Sequence, residues 1–266
     1  MRKNLIEIKM LFAVCTIVAG LMMFGCTKSE NAPNAERGQT AAEAEETAEL
    51  TQSKTADSGQ SEKESLTLDD VINAPVTDEQ YFTYEETEGG IIILKCTCED
   101  DIIVLPDTIG GKEVVELDAA AFSYIRGSVK GIYISNGIEI IEDNTFANME
   151  QLEIVVLGSG VKEIGKAFVV SSVRMVSILS PNIDKIVSYA FNNCKELEEV
   201  YINGDVEEIE MAAFTSCAAL QAVYFEGDVN VIDEKAFFAV TPVIYGPAGS
   251  NIQQYADEKG FIFAAQ

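Results

Sequence analysis

Residues 206–217 read VEEIEMAAFTSC, and the same grid stands at 183–194 as IDKIVSYAFNNC and at 229–240 as VNVIDEKAFFAV. Each copy has an apolar residue, two spacers, a second apolar residue and three spacers. A small residue and a Phe follow, then two more spacers and a Cys or Val. The Phe recurs at 122, 146, 168, 191, 214 and 237, in steps of 24, 22, 23, 23 and 23 residues. Self-similarity at a fixed period in the twenties predicts a solenoid, in which each unit cannot bury its apolar face alone and stacks on its neighbours.

Upstream of each grid lies a short apolar alternation with a period of two, as a strand requires. It pairs Ile132 with Ile134, Val155 with Leu157, Val200 with Ile202 and Val223 with Phe225. Ser177 with Leu179 fits the same scheme more weakly. These residues, the Ile at 141, 164, 186, 209 and 232, and the Phe are expected to point inward as continuous ladders. The residues between the strand pairs are then expected to face outward: Tyr133, Val156, Ile178, Tyr201 and Tyr224. They form an aromatic and aliphatic stripe, which marks a contact surface where it is exposed. The alternative is that they only support one another as cross-strand neighbours. Replacing Tyr201 and Tyr224 by Ser is expected to abolish binding and leave the melting point nearly unchanged.

The chain has 266 residues, 44 acids, 18 bases and a net charge of −26. Nucleic acid needs Lys and Arg for its phosphates, so it is excluded as a partner, as is electrostatic docking on anionic lipid. The chain has no His. That removes imidazole as a base, triad member or metal ligand. No phosphate-binding loop, dinucleotide fingerprint, EF-hand loop or nucleophile elbow is present. Carboxylates recur at Glu163, Asp184, Glu207 and Glu208 and read as a solvated acidic face. No catalytic residue, metal site or cofactor is expected, and the chain is not expected to be an enzyme.

Residues 1–26 read MRKNLIEIKMLFAVCTIVAGLMMFGC. A basic start and an apolar stretch from Met10 to Gly25, short of the roughly 20 residues of a membrane span, make a secretory signal. Met23-Phe24-Gly25-Cys26 resembles a bacterial lipobox, although Met23 stands where Leu is usual and Phe24 is bulky for its place. Residues 1–25 are then a lipoprotein signal peptide, Cys26 is the lipidated residue, and the membrane is met only through that anchor. An ordinary signal or a short anchor shares all but the Cys26 ending. Residues 26–75 are rich in Ala, Glu, Thr, Ser and Gln. From 27 to 75 they hold 11 acids against 4 bases. Such a segment cannot bury enough surface to offset its ordering entropy and reads as a tether, with the repeat domain at 76–266.

The domain opens with Tyr81, Phe82 and Tyr84, a Gly89-Gly90 turn and the apolar run Ile91–Cys98, a hairpin signal. LPDTIGGKEVVELDAAAF (105–122), followed by copies of V-x-x-I-x-x-x-A-F-x-x-C-x-x-L-x-x-V-x-I, resembles the BspA-like class of bacterial leucine-rich repeats over roughly 85–266. IYGPAGSNIQQYADEKGFIF (244–263) looks like that class's terminal cap. The resemblance implies an α/β-type repeat solenoid: a right-handed leucine-rich-repeat coil with one parallel sheet and about six repeats of 23 residues. A hairpin-like cap closes one end and a second cap the other. It also implies a lipoprotein on the cell surface that binds an extracellular protein or glycan, as adhesion proteins do. Capture of carbohydrate or peptide for uptake, and a purely structural envelope role, stand as alternatives. Cys194 and Cys217 occupy one repeat slot, also held by Ile125, Met149, Ser171 and Val240, and are expected as free buried thiols. Cys96 and Cys98 share a strand face and are weak as a metal site.

Overall fold

The computed structural model describes residues 65–266. The signal, Cys26 and most of the tether lie outside the described residues.

Within them the chain is a solenoid. An eight-stranded parallel sheet runs in the spatial order β17-β16-β14-β12-β10-β8-β6-β3. Its strands are β3 (Ile102–Val104), β6 (Gly131–Tyr133), β8 (Ile154–Leu157), β10 (Met175–Ile178), β12 (Glu199–Ile202), β14 (Ala222–Phe225), β16 (Val243–Gly246) and β17 (Phe263–Ala265). The expectation of one sheet is corrected by a second, five-stranded parallel sheet: β7 (Ile140–Ile141), β9 (Glu163–Ile164), β11 (Asn182–Ile186), β13 (Asp205–Ile209) and β15 (Val229–Ile232). The V-x-x-I half of each grid forms it, as the register Ile183↔Val206↔Val229 shows. Among the described residues the repeats carry no helix between the two sheets; the terminal helix Asn251–Lys259 meets β15 and β16 at the end of the coil. The chain returns by turns around each Phe, so the regular structure of each repeat is two short strands joined by turns.

These turns demand left-handed backbone two residues after the Phe, at Asn148, Val170, Asn193, Ser216 and Ala239 (φ 57–61°). Asn tolerates this region; a β-branched Val does not, so Val170 is strained. The corner before the second sheet is tight. A Cβ on Gly160 would lie 2.0 Å from the Asn136 carbonyl oxygen, so only glycine fits.

The Phe ladder is continuous. Ring centroids lie 5.8, 4.7, 4.9, 5.0 and 4.8 Å apart from Phe122 to Phe237, with the rings stacked. All six are buried. Tyr255, on the terminal helix Asn251–Lys259, and Phe261 close the ladder against Phe237 at 6.0 and 5.8 Å. Burial pushes the Tyr255 phenol up to about 12.

Polar side chains at the corners satisfy the next coil's backbone. Asp107 accepts from the Asn136 amide (2.8 Å) and Asn136 from that of Ser159 (3.0 Å). Asp205 accepts from the Asp228 amide (2.9 Å), and the Asp228 carboxylate from the amides of Asn251 and Ile252 (3.0 and 3.2 Å), which caps the terminal helix.

The four described cysteines are free and buried. The Cys194 and Cys217 thiols donate to the carbonyls of Phe168 and Phe191, one coil back, at 2.9 and 3.0 Å. That explains why Cys suits the slot. The contact with Cys217, with burial, holds the Cys194 thiol far above its ordinary range.

The other end carries a four-stranded sheet ordered β1-β2-β5-β4. β1 (Phe82–Glu86) and β2 (Ile91–Cys96) form the expected antiparallel hairpin; β4 (Thr108–Ile109) and β5 (Lys112–Leu117) complete the sheet.

Candidate functional site: the outer face of the eight-stranded sheet

The boundary set at residue 75 needs correction. Leu68–Asn73, assigned by composition to the tether, is a helix with a complete capping box. Thr67 Oγ1 accepts from the Asp70 amide (3.2 Å), and the Asp70 carboxylate accepts from the Thr67 amide (2.9 Å). The contact with Thr67 lowers the Asp70 pKa. The helix packs on β6 and β8, with Val71 buried. It lies on the outer face of the sheet. A Cβ on Gly131 would stand 2.7 Å from Val71 Cγ2 and 3.1 Å from Leu66 Cδ2. Arg174 donates to the Leu66 carbonyl oxygen (3.0 Å), and Thr77 bonds Val104 through both its amide and its hydroxyl. Residues 65–77 are thus a strap over the first strands. On β8 the outward Ile154 and Val156 are fully buried.

Strand pairing sets the outward row: Val104, Tyr133, Val156, Ser177, Tyr201, Tyr224, Tyr245 and Ala264. Tyr133, Val156, Tyr201 and Tyr224 stand where the repeat predicts. Ile178 does not. It pairs with Leu157 and Ile202 and is buried in the core; Ser177 occupies the outward position. In Met175-Val176-Ser177-Ile178 the apolar phase is Val176 and Ile178; the expectation followed the count back from the Phe, which runs one residue longer here (15 from Val176 to Phe191 against 14 from Val200 to Phe214). A slip of one residue turns every side chain to the opposite face.

The row divides in two. Tyr133, near the strap, is half-buried, and burial with the nearby Asp107 charge raises its pKa. Beyond Ser177, three tyrosines stack. The Tyr201–Tyr224 centroids are 4.4 Å apart with the rings 3° from parallel; the Tyr224–Tyr245 pair is at 4.5 Å and 16°. Tyr245 was missed because the last step, Tyr224 to Tyr245, is 21 residues, inside what reads as the cap. The alignment of Ala222-Val223-Tyr224 with Val243-Ile244-Tyr245 was the signal. Tyr201 and Tyr224 are each 9% exposed. Glu199, also missed, takes a hydrogen bond from each: Tyr201 OH to Oε2 at 2.8 Å and Tyr224 OH to Oε1 at 3.5 Å. Burial, then the Glu199 charge, holds the Tyr201 phenol well above its ordinary value.

Because Tyr201 and Tyr224 are buried and stacked, the expectation that their Ser variants would leave stability untouched is corrected. Each stacked aromatic pair contributes roughly 0.5–1.5 kcal/mol beyond its buried area.

The recurring carboxylates lie elsewhere. Asp184 and Glu207 line, with Asp205 and Asp228, an open groove of about 420 Å³ on the five-stranded sheet. Among the described residues, no group of three or more acids or cysteines could hold a metal ion. Nor is any described helix long and apolar enough to cross a membrane.

Repeat spacing, paired parallel strands and the Phe ladder agree with the comparison of this chain with known families. The model of the BspA type leucine rich repeat region matches six copies over residues 115–242. These residues belong to the BspA-type leucine-rich repeat family. The crystal structure of the T. pallidum leucine rich repeat protein is similar at 21% identity and a TM-score of 0.51, over 71% of this chain and 98% of that one. That likeness carries the fold alone. No curated protein matches. Leucine-rich repeat domains generally mediate protein interactions and are typically not enzymes. BspA-type members are typically extracellular or surface-associated.

Proposed function

We propose that this BspA-type repeat protein is a surface-exposed, lipid-anchored adhesion module. It binds an extracellular protein on the tyrosine row of its eight-stranded sheet. One observation carries the reading: Tyr201, Tyr224 and Tyr245 form a continuous row on the outward face, with the Glu199 carboxylate held by two of their hydroxyls. Anchoring rests on Cys26, through an acyl group that holds the chain by burying methylenes at about 0.8 kcal/mol each.

Protein is favoured over glycan by the ring geometry. A sugar stacks on an open aromatic face, and both faces of Tyr224 are covered by its neighbours. What the row offers is hydroxyls, ring edges and a carboxylate, which suit polar side chains of a protein. The same geometry weighs against a role in carbohydrate uptake.

Replacing Tyr201 and Tyr224 together by Phe retains the stack and removes the hydroxyls. With the purified chain as bait on extracellular proteins, a specific captured protein is expected to be lost from this variant. It should be retained by Glu207→Gln on the five-stranded sheet. Capture indifferent to both changes overturns the assignment of the face. Cys26→Ser is expected to move the protein from the membrane fraction to the medium, and unchanged fractionation overturns the anchor.

A further inference from the structure

We propose that Glu199 is an anchoring site for a cationic side chain, a guanidinium foremost, of the partner protein. This rests on reading the outward row as the binding face and gives that face a chemistry.

Glu199 lies on the outward side of β12, level with Met175 on β10 and Ala222 on β14. It is half-buried, so its charge has lost part of its water. Two tyrosine hydroxyls aim at its two oxygens and fix the carboxylate plane. Hydroxyls stabilise the charge without neutralising it. Among the described residues no Lys or Arg pairs with Glu199. The base that precedes the neighbouring strand, Arg174, is engaged by Glu198 at 3.7 Å and by the Leu66 carbonyl. Two other bases on the solenoid are held by other acids: Lys162 by Glu139, and Lys185 by Glu208 and Glu210. Among the described residues Glu199 is therefore a positioned, partly desolvated charge without a counter-charge.

A guanidinium completes it best. It is planar, weakly hydrated and pairs with a carboxylate through two parallel hydrogen bonds, which a Lys ammonium cannot do. At longer range, residues 76–266 carry 32 acids against 11 bases. A field of that sign steers a cationic segment toward the face and speeds encounter.

The test uses the full chain and an N-acetyl hexa-arginine amide, titrated calorimetrically near physiological ionic strength. Glu199→Gln is compared with Glu150→Gln, which removes the same charge from an exposed turn on a different coil. Glu199→Gln is expected to weaken the peptide at least tenfold more than Glu150→Gln does. A hexa-lysine peptide should bind wild type more weakly than hexa-arginine and lose less in the variant. Equal losses in the two variants mean that the general acidic field holds the peptide, and overturn the site. Should Glu199→Gln melt early, Glu199→Asp keeps the charge but withdraws it by one methylene. It is expected to abolish the preference for arginine, and an intact preference overturns the proposal. The wider reading fails separately. If the captured protein is lost from the Tyr→Phe pair and retained by Glu199→Gln, the face binds but the cation site is wrong. Retention by both variants removes the face as well.

Discussion

Phe191→Ala cuts the ladder at its middle. The Phe191 ring is buried between Phe168 at 4.9 Å and Phe214 at 5.0 Å, both stacked on it. Deleting it removes the transfer free energy of the ring and leaves a cavity that adjacent coils, tied by two sheets, cannot close. A loss of about 3–5 kcal/mol follows for such a truncation. At roughly 2–4 °C per kcal/mol for a domain of this size, the melting point should fall by about 6–20 °C. Two internal comparisons sharpen this. Phe122 has one ring neighbour among the described residues, Phe146 at 5.8 Å. Phe122→Ala should therefore cost less by about one stacking contribution, roughly 0.5–1.5 kcal/mol. Phe238 directly follows a ladder Phe but is 58% exposed. Phe238→Ala should stay within about 0.5 kcal/mol of wild type. The assay is thermal and urea unfolding followed by far-ultraviolet circular dichroism. A Phe191→Ala melting point indistinguishable from that of Phe238→Ala would refute the ladder as the source of stability.

Three further outcomes follow from other parts of the molecule. Val170, 48% exposed and at φ 60°, is a β-branched residue in left-handed backbone where the equivalent slots hold Asn148 and Asn193. Val170→Asn should stabilise by ~1 kcal/mol, raising the urea midpoint, and a loss instead would show that Val170 packing matters more than strain. Gly131→Leu drives a side chain into Val71, so hydrogen exchange should speed up selectively at residues 66–73 while the Phe ladder stays protected; unchanged exchange there would remove the strap from the outer face. The Glu210 carboxylate accepts from the Ser188 amide at 2.8 Å and hydroxyl at 2.9 Å and meets Lys185 at 3.0 Å. These contacts, the Ser188 amide foremost, lower its pKa. A depressed folded pKa means stability that is present above the unfolded value and lost as pH falls through the folded one. Glu210→Gln should thus cost under about 1 kcal/mol at pH 7, because the group is partly exposed. The difference between the two melting points should vanish on acidification below the ordinary carboxylate range; a difference constant with pH contradicts the linkage.

Much of this architecture is written in short-range pattern. A Phe every 22–24 residues, a small residue before it and an apolar residue at each inward slot are enough to specify a coil, because an unstacked repeat has nowhere to put that face. The composition of residues 27–64 and the lipobox-like Cys26 ending are equally local, and they remain expectations. The candidate site was legible in part. Tyr201 and Tyr224 could be placed by counting from the Phe, but Tyr245 breaks the count and Glu199 looks like one acid among 44.

The rest was decided by contacts between segments distant in the chain. That Ser177 rather than Ile178 faces outward was decided by the pairing of Val176 with Val155 and Val200, since the count back from the Phe gives the other phase in this longer repeat. The acidic, low-complexity composition that argues against order up to residue 75 is overruled at Leu68–Asn73. There Gly131 leaves a space that Val71 fills, so a short capped helix gains burial it could not have alone. And the tyrosines, which alternation could only point outward, became a stack with covered faces once parallel strands brought Tyr201, Tyr224 and Tyr245 into register. The sequence by itself determined the coil and its core, because each repeat carries the instruction complete. Which face remains for a partner, and with what chemistry, was a matter of register and of one segment folding back, and these exist only in three dimensions.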